Sequence, residues 1–147
     1  MIVGFIIYMV VLSVVLALWE IQIEGKDGWA NSLPCWRIEK GLIVKILGGR
    51  PLTGYHFFMV LFLILMVHLP IFFSTWSLRL ESLLLGFLVG LLLIEDFLWF
   101  VFNKNYGLKK FKKGEIWWHK NWWGPVPDYY WFATTIVLVC FYFGLAT

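Results

Sequence analysis

The sequence predicts an all-α integral membrane protein, a bundle of four spanning helices with two basic connections on one side. Three observations lead there. Hydrophobic residues make up 61% of the chain and charged ones 14%, against the roughly 45–50% and 25% of an ordinary soluble domain. Four apolar segments, Ile2–Trp19, Tyr55–Phe73, Leu80–Phe102 and Tyr129–Ala146, each come close to the ~20 residues that cross a hydrocarbon core. Eleven of the twelve Lys and Arg residues lie in just two of the three connections. A transmembrane barrel is excluded because runs such as VVLSVVLAL and LLLGFLVGLLL do not alternate apolar with polar. Only a helix then satisfies the backbone within lipid. Residues 1–147 therefore read as a single polytopic domain.

The first segment has no basic residue before it and no small-x-small cleavage pattern after it, so it is expected to be a retained helix and not a secretory signal. The connection that follows carries Lys26, Arg37, Lys40, Lys45 and Arg50. Within it, WRIEKGLIVKIL (Trp36–Leu47) is too short to span and mixes apolar residues with cations, which predicts an amphipathic helix in the headgroup plane. GGRPLTG then punctuates the chain and leads into the second span. Arg79 stands alone in the short second connection.

The third connection holds Lys104, Lys109, Lys110, Lys112, Lys113 and Lys120. Its NKNYGLKKFKKGE run is expected to attract anionic lipid of the inner leaflet, at about 1 kcal/mol per Lys near the surface. Nucleic acid is not needed to explain this charge. The WWHKNWW stretch after it suits indole anchoring at the headgroup level. With four spans both basic connections share a side, and the positive-inside rule makes loops 20–54 and 103–128 cytoplasmic and both termini external. Cys35 and Cys140 form no CxxC pair and read as inert.

Polar residues inside the spans are the candidates for function. Glu95 and Asp96 interrupt LLLIEDFLWF, roughly 20 Å along a helix that starts near Leu80. Charge at such a depth is costly and calls for a partner. The predicted topology brings company to the same level: Glu20 and Glu24, one turn apart at the end of the first span, His56 at the start of the second, and His119 in the Trp-rich stretch. Imidazole and carboxylate form a ligand set for a divalent metal such as iron, zinc or manganese, with His56, His119, Glu20, Glu24, Glu95 and Asp96 as ligands. Glu95, Asp96 and His119 are the candidate acid–base groups. The E-x-x-H signature of di-iron bundles is missing. Structural pairing of the acids with Arg37, Arg50, Lys104 or one another is the competing expectation.

His68 lies about 18 Å from His56 along the second span, beside Pro70, and reads as a histidine bonded to backbone. Gly86 and Gly90 form G-x-x-x-G, which permits close helix approach and makes a homo-oligomer a candidate partner. P-loop, HExxH, GxSxG and CxxCH patterns are absent. DGWANSLPCWR opens like the DG-x-x-A-R pattern of phospholipid synthases, but its Arg is displaced and the later aspartates do not follow. The sequence thus favours a His/carboxylate site at the cytoplasmic membrane face, binding a metal or polar ligand and acting on lipid-related substrates. A proton- or cation-coupled transport subunit using Glu95 and Asp96, or a structural subunit of a larger membrane complex, are the alternatives.

Overall fold

The computed structural model describes residues 2–145 of the chain. Ala146, the predicted end of the fourth span, lies outside them. Four helices are long and apolar enough to cross a membrane: α1 (Ile2–Glu24), α3 (Gly54–Val67, continued by a 3-10 turn over Leu69–Phe72), α4 (Leu78–Phe102) and α5 (Asp128–Leu145). The first outruns its predicted limit at Trp19 because Glu20 and Glu24 sit on its buried face. Capping sets two starts. The Thr53 hydroxyl accepts from His56 N at the head of α3, and the Ser77 hydroxyl accepts from Leu80 N at the head of α4.

The central element is α4. It packs against α1 on one side and α5 on the other, and it buries Leu84, Phe87, Leu88, Leu91, Trp99 and Phe100. Small residues allow that approach. Gly86 lies under Phe141 and Cys140 of α5, and Gly90 lies under Met9 of α1 and Val137 of α5. The close contact that these glycines permit is therefore made within the chain. Between α1 and α4, the Ser13 hydroxyl reaches the carbonyls of Met9 at 2.9 Å and Leu91 at 3.0 Å. At the end away from the basic connections, Arg79 Nε donates to the Gly144 carbonyl at 3.0 Å and ties α4 to the last turn of α5.

By contrast, α3 is peripheral. It buries only Gly54 and His56 fully and leans on α1 and α4 through Met59, Leu63 and Val67. Phe58, Phe62 and Leu65 are exposed along its outer face.

The first connection corrects one expectation. Trp36–Leu47 does not form a single interfacial helix; Arg37–Ile38 (β1) pairs antiparallel with Leu52–Thr53 (β2), and only Leu42–Ile46 (α2) is helical. Gly41 breaks the run with φ 99°, a backbone region that suits glycine. The Trp-rich stretch departs too. Trp118 and Ile116 are buried in a cluster with Trp99, Phe100 and Ala17, while Trp117 and Trp123 stay exposed. Trp118 covers Gly28 of the first connection, and the Asn103 amide donates to the Gly25 carbonyl at 2.8 Å. Both basic connections thus fold onto each other at one end of the bundle. Trp122–Trp123 (β3) and Val126–Pro127 (β4) close a small hairpin that feeds α5.

Candidate functional site

All six residues singled out from sequence gather at the end that carries the basic connections. Glu20, Glu24, His56, Glu95 and His119 are each less than 10% exposed, and the Asp96 side chain is 18% exposed. They do not form one ligand sphere. Among the described residues, no three His, Cys, Asp or Glu side chains converge as a metal site would need.

They are organised instead as pairs. Glu24 at the end of α1 accepts from the backbone N–H of Trp29 at 3.1 Å and of Ala30 at 2.5 Å, and its Oε1 lies 3.4 Å from His56 Nε2. His56 is held on its other side by Thr53, whose Oγ1 is 2.7 Å from Nδ1, and the Trp29 ring stacks on the imidazole at 4.0 Å. If the Thr53 hydroxyl donates to Nδ1, His56 keeps its proton on Nε2 and turns it toward Glu24. Across the site, Asp96 accepts from the Tyr130 hydroxyl at 2.6 Å, and its Oδ2 lies 3.5 Å from His119 Nε2. That separation is within ion-pair range but lacks hydrogen-bond geometry, so His119 Nε2 has no hydrogen-bond partner.

Glu20 and Glu95 make the third pair. The two carboxyls are neighbours between α1 and α4, and the Tyr55 hydroxyl donates to Glu20 at 3.2 Å. Neighbouring carboxyls can hold one proton between them, which gives such a pair the capacity both to give and to accept a proton. Adjacent acids on α4 thereby serve different pairs, as the 100° step between helical neighbours requires.

The basic residues proposed as partners for the acids do other work. Arg37 donates to the carbonyls of Ala30, Asn31 and Leu33. Arg50 places its guanidinium over the rings of Trp29 at 4.6 Å and Tyr129 at 4.7 Å, while its Nε donates to Leu47 at 3.0 Å. Such a contact contributes roughly 0.5–2 kcal/mol, more as the cation loses water. No ion pair joins Arg or Lys to the site's acids among the described residues; histidines, tyrosines and backbone N–H groups do that work. His68, outside the cluster, keeps its expected backbone contact, with Nδ1 2.7 Å from the Ile64 carbonyl, and adds Glu81 at 3.1 Å.

A cavity of about 470 Å³ runs from this cluster into the bundle. Glu20, Glu24, Arg50, His56, Glu95 and Asp96 line one part, and Val60, Ile64, Val89, Leu92, Leu93 and Ala133 line the other. It exists because α3 leans only lightly on the rest. A separate apolar groove of about 620 Å³, bordered by Trp19, Trp36, Phe58 and Phe62, lies between α1, α3 and the first connection.

Sequence reasoning missed Trp29, Thr53, Tyr55, Tyr129 and Tyr130. The pair Tyr129–Tyr130 at the start of the fourth span was the available signal, since phenols there fall at the same level as Glu95 and Asp96. Comparison with protein-family models, curated proteins and solved structures finds no match.

Proposed function

We propose that this chain is a membrane protein whose His/carboxylate cluster binds the polar end of a lipid-like molecule and exchanges protons with it. The observation that carries the reading is the two-part lining of the 470 Å³ cavity, ionisable at one end and aliphatic at the other. Ligand sites of this size are concave and mostly apolar, with a few polar groups that fix orientation. Glu95 with Glu20 supplies a proton donor and acceptor in one unit, and Asp96 with His119 supplies a second acid–base pair. The paired arrangement favours a polar organic ligand over a metal. In this reading the basic end faces the cytoplasm, where Lys109, Lys110, Lys112 and Lys113 meet anionic headgroups.

The test is retention. Protein purified in mild detergent is expected to carry about one amphiphile per chain, detected by mass spectrometry of a solvent extract, and Val60→Trp is expected to lose it by filling the aliphatic part. Wild-type protein without a retained amphiphile, or Val60→Trp retaining as much, overturns the reading. Orientation is tested separately at Cys35, which an impermeant maleimide should reach only in opened cells.

The Glu20–Glu95 pair also favours a second reading, proton or cation transport. That reading needs a polar route through the other half of the bundle, where Met9, Leu16, Phe87 and Leu91 form an apolar cluster. Flux in liposomes that vanishes in Glu95→Gln would establish it over lipid chemistry.

A further inference from the structure

The Glu24–His56 and Asp96–His119 pairs are joined by a stack of flat side chains. His56 lies on the Trp29 ring at 4.0 Å with 20° between planes, and His119 lies on the Tyr129 ring at 5.2 Å with 28° between planes. The Arg50 guanidinium bridges the two rings, 4.6 Å from the centre of Trp29 and 4.7 Å from that of Tyr129. Trp29, Arg50, His56 and Tyr129 all line the 470 Å³ cavity, so a cation held on aromatic faces forms part of its wall.

A guanidinium makes its hydrogen bonds through its edge and not through its faces. Arg50 Nε donates to the Leu47 carbonyl at 3.0 Å. Nη1 and Nη2 have no hydrogen-bond partner among the described residues, and neither is buried. The acids at the cavity differ. Glu24 accepts two backbone N–H groups and faces His56, Asp96 accepts from Tyr130 and faces His119, and Glu20 accepts from Tyr55 and neighbours Glu95. Arg50 is the one Arg or Lys among the lining residues, and its charge alone meets no oppositely charged partner there. The Lys120 side chain packs over Gly49, the residue before Arg50, and adds a second cation to this segment.

The two rings restrict the guanidinium, so an incoming group meets a fork that is already oriented. With Nε occupied, that fork is the end-on pair Nη1 and Nη2, which matches two oxygens of one oxyanion. An alcohol offers a single oxygen, and an ammonium meets like charge. Glu20, Glu24, Glu95 and Asp96 border the same space and favour the smallest added charge. A carboxylate brings one negative charge, where a phosphate monoester brings about 1.5–2.

Resting on the amphiphile reading above, we propose that the ligand is a long-chain carboxylate whose two oxygens pair with Nη1 and Nη2 of Arg50, its hydrocarbon lying along Val60, Leu92 and Leu93.

The test uses the full chain in nanodiscs of zwitterionic lipid and two diazirine-bearing probes with the same chain, a hexadecanoate and a hexadecanol. Each is titrated to saturation, with labelling of cavity residues read by peptide mass spectrometry. The acid is expected to half-saturate at a concentration about tenfold or more below the alcohol, the effect of a charge-assisted pair. Unlabelled hexadecyl phosphate and hexadecylamine are expected to compete less well than unlabelled hexadecanoate. Arg50→Gln is expected to remove the acid's advantage over the alcohol. Arg50→Lys, which keeps a cation but loses the fork, is expected to shrink it. Leu138→Ala, on the exposed face of α5, is expected to leave both half-saturating concentrations unchanged. An alcohol equal to the acid on the wild-type chain, or stronger competition by the amine or the phosphate, overturns the carboxylate and leaves the amphiphile reading standing. An advantage unchanged in either Arg50 variant overturns the pairing with Arg50. Absence of saturable labelling by both probes overturns the carboxylate and the amphiphile reading together.

Discussion

The two ends of the bundle use the same helices for opposite purposes. Toward the chain termini, α1, α4 and α5 are joined by methionine, leucine and phenylalanine around Gly86, Gly90 and Gly144, and a single serine supplies the polar contact between α1 and α4. Toward the basic connections, the same three helices present Glu20, Glu24, Glu95, Asp96 and Tyr130; α3 supplies His56, and the connections supply the His119, Trp29 and Arg50 that complete them. Packing of large side chains over these glycines tolerates exchange among apolar residues of similar volume. Buried ionisable groups do not, because each one stripped of its partner is left at full desolvation cost. One end therefore carries stability that can be traded, and the other carries specificity that cannot.

Substitutions can break that contrast, and Glu24→Ala should have the largest effect. It removes the acceptor for two backbone N–H groups and the neighbour of His56, and is expected to lower stability by about 3–5 kcal/mol. Equilibrium unfolding in mixed micelles measures it; a loss below 1 kcal/mol would mean that the turn after α1 holds itself. At the opposite end, Met9→Ala opens space against Gly90 and should cost about 2–3 kcal/mol by the same assay. Its informative property is that ligand retention per folded chain stays at the wild-type level. If retention falls, the two ends are coupled and the contrast fails.

Gly28→Ala sharpens the comparison from the loop side. Gly28 has φ 62°, and an added methyl would run into the Trp118 ring, so about 2 kcal/mol of destabilisation is expected. Solvent access to Trp118, followed by hydrogen exchange of the Ile116–His119 backbone, should rise with it. The smallest effect belongs to Tyr130→Phe, which deletes the phenol on Asp96 and should cost about 1 kcal/mol. Unchanged stability there would assign Asp96 to His119 alone.

The spans were legible because hydropathy and length decide them, and the common level of the six site residues followed from charge asymmetry alone. Partner choice was not legible. Arg50 appeared as a counter-ion for the acids, yet it stacks on Trp29 and Tyr129, residues 21 and 79 positions away, and no local pattern encodes that meeting. The first connection misled for a related reason. Its apolar and basic residues suit a surface helix, but Gly41 and the pairing of Arg37–Ile38 with Leu52–Thr53 divide it into a strand and a five-residue helix. Trp118 suits a headgroup-level anchor by composition, which cannot say whether an indole meets a headgroup or, as here, a glycine of a neighbouring loop.

The Ser13 hydroxyl is shared between the carbonyls of Met9 and Leu91. Because α1 and α4 run in the same direction, one bond from Ser13 to Leu91 acts as an alignment pin for both. Slippage by one residue would shift α1 about 1.5 Å along its axis and turn its side chains through about 100°. Glu20, two turns further along α1, would then turn away from Glu95, so a hydroxyl in the most ordinary part of the bundle sets the alignment of its polar end.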